Sequence, residues 1–138
     1  MTSYQARITD LVERDSRYAY EAYEFVFAAL SHTQKNLGRL PSTAEVPESH
    51  HHVSGRELVE GVRELALREF GLMARVVFRM WGVQRTADFG EIVFNLVEAG
   101  LMSKTEQDNR EDFEEIFDFD RALVQDFRIE LSEVEWTP

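Results

Sequence analysis

The sequence predicts one mainly α domain with a winged-helix-like C-terminal half that contains a short β-hairpin. Three observations lead there. The chain is 138 residues long, the size of one domain with one core. Hydrophobic residues make up 43% and charged residues 30%, as in packed globular proteins. Finally, apolar residues recur at helical spacing over most of the first hundred positions, whereas the stretch after Gly100 mixes short apolar segments with polar turns.

Residues 1–37 read as N-terminal helices. Tyr4, Ile8, Leu11 and Val12 share one face of a first helix, and Asp15 and Ser16 mark its end. The second helix, from Arg17 to Asn36, carries Tyr18, Ala22, Phe25, Val26 and Ala29 as a stripe, with Tyr20, Tyr23 and Phe27 on the opposite side. A helix apolar nearly all round sits at the centre of a core or lends one face to a partner. Tyr20, Tyr23 and Phe27 are accordingly candidate interaction residues.

Residues 38–54 form a long connection with two prolines and the run His50, His51, His52. The helical body then occupies 55–138. Ser54 and Glu57 have capping-box spacing, so a third helix starts there, with Leu58, Val62, Leu65 and Ala66 inward and Gly71 ending or bending it. A short apolar helix from Leu72 to Trp81 closes at Gly82, whose freedom at positive φ suits a helix end. Trp81 is expected in the core. Thr86 is positioned to cap the next helix, in which Phe89, Ile92, Val93, Leu96 and Val97 keep strict amphipathic spacing up to Gly100. Phe94 lies off that stripe, so a further element is expected against it.

Residues 101–119 suit either a β-hairpin or a helix, and short helical and strand segments follow toward Pro138. Helix, turn, amphipathic helix, glycine and hairpin is the order of a winged helix-turn-helix. In that arrangement Asp88, Glu91, Asn95 and Glu98 would form the polar face of a recognition helix, with the opposite charge to a DNA reader. The face suits a protein partner better, which makes Glu91 and Asn95 interaction candidates.

Charge sharpens this reading. The net charge is −11, and from Glu106 onward there are 12 acidic and 3 basic residues, a local balance of −9. Such a surface repels phosphate backbones, so nucleic acid is disfavoured as a partner. Arg56, Arg63, Arg75, Arg79 and Arg85 offer the alternative, a basic patch on a nucleic-acid-associated regulator.

Catalytic chemistry has little to build on. With no cysteine there is no thiolate nucleophile or ligand. No phosphate-binding glycine loop, dinucleotide fingerprint, nucleophile elbow or HExxH spacing is found, and no cofactor is indicated. His50 and His52 point to one side of an extended chain, which makes them weak metal candidates and the basis of a third reading, a metal-dependent enzyme. Trp136, in a polar tail, is a further candidate anchor for a partner. Neither a signal peptide nor a membrane span is recognisable, so a cytoplasmic location is expected.

The stretch from His50 to Leu123 resembles a family of small conserved hypothetical proteins of planctomycetes and verrucomicrobia, labelled the Minf family. Its most specific part is Trp81-Gly82-Val83 followed by DFGEIVFNLVEAGL and KTEQDNREDF. The resemblance implies an intact native domain, and it brings no activity, cofactor or site residue. The expected function is a non-enzymatic protein-interaction domain that contacts a protein partner or a second copy of itself.

Overall fold

A computed structural model describes residues 3–38, 53–102 and 113. Five α-helices make up the described chain: α1 (Ser3–Arg14), α2 (Tyr20–Asn36), α3 (Gly55–Phe70), α4 (Ala74–Met80) and α5 (Thr86–Glu98). A 3-10 turn, Gly71–Met73, joins α3 to α4. The mainly α prediction therefore holds. There is no strand among the described residues. Most of the expected hairpin span lies outside them, and Phe113 within it sits in a 3-10 turn.

Residue pairs fix how the helices run. Phe25 meets Phe70, His32 meets Glu64, and the space over Gly61 is filled by Thr33, so α2 and α3 are antiparallel. Tyr4 packs on Phe27, which pairs α1 with α2 as a second antiparallel hairpin. Tyr18 reaches Asp88 and Tyr23 reaches Asn95, so α5 lies alongside α2 in the same direction. α2 thus touches α1, α3 and α5. Its nearly all-round apolar character follows from that central position.

The observed boundaries differ from the predicted ones at two capping sites. α2 begins at Tyr20 and not at Arg17, because Tyr18 is buried in the preceding turn and the Ala19 N–H donates to the Trp81 carbonyl at 3.1 Å. At α5 the expected cap, Thr86, is the first helical residue. Asp88 takes the capping role, accepting the Gln84 and Arg85 N–H groups at 2.8 and 3.0 Å. The predicted Ser54–Glu57 capping box is present, with both reciprocal bonds in place.

Two glycines permit close approaches. A Cβ on Gly61 would lie 1.8 Å from the Thr33 hydroxyl, so a bare backbone lets α3 settle against α2. Gly90 plays the same part on α5, where a Cβ would meet the Phe113 ring. Phe113 stacks edge-on to Phe94 at 6.3 Å, on the side where a further element is expected.

An aromatic cluster closes the end of the bundle where α4 crosses. Phe25, Phe70, Phe78, Trp81 and Phe89 meet there with ring centroids 5.3 to 5.9 Å apart. Trp81, expected in the core, is half-buried and packs against it. No helix among the described residues is long and apolar enough to cross a membrane.

Candidate functional site

Three features of the described surface have the chemistry to matter: a polar knot, an open cavity and an apolar stripe. The polar knot joins the α1–α2 turn to α5. Asp15 ends α1 and accepts the Arg17 Nε and Nη2 groups at 2.9 and 2.7 Å, a bidentate pair. Its second oxygen also accepts from Asn95 Nδ2 at 3.0 Å. Asn95 donates as well to the Tyr23 hydroxyl at 3.1 Å. Nearer the start of α5, the Tyr18 hydroxyl donates to Asp88 at 2.7 Å, and Arg17 Nη2 reaches Glu91 at 3.5 Å.

Electrostatics in the knot follow from these bonds. The Arg17 hydrogen bonds, helped by Asn95, hold the Asp15 carboxyl well below the usual carboxylate range against the opposing effect of partial burial. Burial, reinforced by the bond to Asp88, pushes the Tyr18 phenol upward. Every polar group named is matched by another in the fold, so the knot fastens helices and offers no reacting atom.

Because the folded state keeps Asp15 ionised, its contribution is complete above the unfolded carboxyl value near pH 3.9 and is lost as pH falls below that toward the depressed folded value. Thermal unfolding from pH 7 to pH 2 is expected to show this loss. Asp15→Asn should lower stability at pH 7 by about 1 kcal/mol, since Arg17 is largely exposed to water. The variant should also flatten the acid limb of the curve. An unchanged acid limb would show that Asp15 does not hold the turn.

The knot corrects the expectations for α5 and for one face of α2. Tyr23, expected as an interaction residue, is 0% exposed and its hydroxyl is bonded. Glu91 and Asn95, expected as a partner-facing row, turn toward the α1–α2 junction. Their helical spacing puts them on one face, but periodicity alone does not say which neighbour a polar face meets. Tyr20 and Phe27 are half-buried, the latter edge-on to Tyr4. His50, His52 and Trp136 lie outside the described residues.

The open cavity, 290 Å³, lies between the C-terminal end of α2 and the start of α3. Arg56, Glu60, Glu64 and Asn36 line it. At its edge His32 Nε2 lies 3.3 Å from Glu64 and 3.1 Å from Asn36 Nδ2. The Thr33 hydroxyl, also on the wall, donates to the Ala29 carbonyl and is buried. No group of three or more metal-ligating side chains is found among the described residues. At this volume the cavity lies at the lower edge of the range for sites that hold organic ligands.

The apolar stripe runs along the 3-10 turn and α4. Leu72 is 52% exposed, Met73 56%, Val76 40% and Met80 77%. Met73, Val76 and Met80 are three and four residues apart and so share one side of the helix. The opposite side, Ala74 and Phe78, is fully buried in the aromatic cluster. α4 is therefore held firmly from behind while the turn and helix present four large aliphatic side chains to solvent. Composition alone favours the core for this segment, because apolar residues cover every side of the short helix but the flank that carries Arg75 and Arg79. A methionine pair on the side away from Phe78 and Trp81 is the sequence signal for exposure.

No known protein family, curated protein or solved structure matches the chain.

Proposed function

We propose that this chain is a non-enzymatic protein-interaction domain whose docking surface is the Leu72, Met73, Val76 and Met80 stripe. The observation that carries the reading is exposure: these four side chains are 40 to 77% exposed on a segment whose other side is fully buried. Scattered apolar residues on a surface are ordinary, but a contiguous aliphatic group on a rigid element marks a contact site. Unbranched methionines adapt to the shape of a partner, which suits such a surface.

Binding of nucleic acid through α5 finds less support. In a winged-helix reading, α5 would present Asp88, Glu91 and Asn95 to a groove, whereas these side chains are bonded to Tyr18, Arg17, Asp15 and Tyr23.

Capture from the native host's extract tests the reading. Wild-type protein, Met80→Asp and Tyr20→Ala are compared by quantitative mass spectrometry. Proteins held by the wild type should be lost with Met80→Asp and kept with Tyr20→Ala. Met80→Asp should alter folding stability by no more than about 0.5 kcal/mol, because the side chain lies outside the core. An identical set of captured proteins from all three would reject the stripe as the docking surface.

A further inference from the structure

We propose that the α4 stripe receives a short, acidic, apolar-anchored segment of a partner protein. The inference rests on the interaction-domain reading above and specifies the partner's chemistry. It begins with local charge. Residues 68–85 contain Arg68, Arg75, Arg79 and Arg85 against Glu69 alone, a balance of +3 within a chain of net charge −11. The exposed stripe lies inside this cationic stretch.

Arg75 and Arg79 directly precede Val76 and Met80, and the 100° step of a helix puts both on one flank of the stripe. Arg79 is exposed, and its guanidinium has no hydrogen-bond or ion-pair partner among the described residues. Arg68, in the last turn of α3, is exposed and equally without one. Charges act over a Debye length of about 10 Å in 0.1 M salt, so a segment arriving at the stripe responds strongly to these neighbouring arginines.

Charge selects an acidic segment over a second copy. A second copy docking by the same stripe would set its own Arg75 and Arg79 against these two, like charge on like charge. Four partly exposed aliphatic side chains offer on the order of 400 Å² of apolar area. A helix that lays two or three apolar side chains along Met73, Val76 and Met80, with carboxylates toward Arg79, fits that area. Nucleic acid fits less well, because the centre of the patch is aliphatic and gives bases no ring to stack on.

The test uses the full chain and two synthetic helical peptides with leucines at identical positions, one glutamate-rich and one lysine-rich, titrated by fluorescence anisotropy. The glutamate peptide should bind at least about tenfold more tightly than the lysine peptide. Arg79→Glu should weaken it by about tenfold, and Met80→Asp should remove detectable binding, with circular dichroism confirming that both variants fold. Equal binding of the two peptides, lost together in Met80→Asp, would overturn the acidic specificity while leaving the interaction-domain reading intact. Peptide binding that survives Met80→Asp would overturn both. The proposal also fails if the glutamate peptide does not bind, as when the chain's own acidic residues fill the patch. Met80-dependent dimerisation in light scattering, or Met80-dependent binding to mixed RNA and DNA or to anionic vesicles, would assign the stripe to a different occupant.

Discussion

Replacing Gly82 by alanine is expected to cost roughly 3 kcal/mol or more, a large share of the stability of a domain this size. Two effects add. Gly82 adopts φ of +88°, where an L side chain crowds its own backbone. A Cβ there would also lie 1.9 Å from the Arg17 carbonyl oxygen, which belongs to the backbone of the α1–α2 turn and has no rotamer to escape into. That turn is tied to the same place by the Ala19 N–H to Trp81 carbonyl bond. Gly38 provides the control, because it has φ of +69° and a Cβ added to it would meet nothing within 4 Å. Gly38→Ala should therefore cost about 1 kcal/mol, the conformational part alone. Urea denaturation of both variants separates the two effects. Equal losses would show that the α1–α2 and α4–α5 turns do not interlock.

Phe78→Ala should destabilise the protein by about 3 to 5 kcal/mol. The ring is fully buried and meets Phe25, Trp81 and Phe89 at 5.8, 5.9 and 5.3 Å. Its removal leaves a cavity walled by other rings, which cannot all move in to fill it. Phe78→Leu retains most of the volume and should cost about 1 kcal/mol. Denaturation midpoints give both values, and a loss below about 1 kcal/mol for Phe78→Ala would mean that α4 is not anchored from behind. The anchor matters for the proposed docking, because a stripe on a loosely held helix would lose much of its binding free energy in ordering that helix.

The helices are legible in the sequence because their signals are local. The Ser54–Glu57 box, the positive-φ glycines at 71, 82 and 100, and the strict spacing from Phe89 to Val97 each depend on neighbours in sequence. Phe94, set off the α5 stripe, requires a partner, which is Phe113. The cap of α5 is harder to place, because serine, threonine and aspartate all cap helices. Sequence does not say whether the residue before the helix or the one at its third position performs the task, and here Asp88 does so in place of Thr86.

The candidate site is less legible for a tertiary reason. Tyr23 and Asn95 are 72 positions apart, and only the packing of α5 beside α2 makes them partners. An aromatic face on α2 and a polar face on α5 each look available when considered alone. Together they satisfy one another. The short apolar α4 looks like core from its composition, yet the bundle covers only the side that bears Ala74 and Phe78. Which apolar side of so short a helix is left uncovered is decided by neighbours far away in sequence.

The proposed docking role of α4 is tested most directly by methyl NMR of protein labelled at its methionines, with the glutamate-rich peptide added stepwise. Met73 and Met80 lie on the exposed stripe, while Met102 is packed against the core after α5. The Met73 and Met80 methyl signals should shift progressively with peptide while Met102 stays in place. Shifts confined to Met102, or no shift in any methionine methyl, would contradict the assignment of α4 as the docking surface.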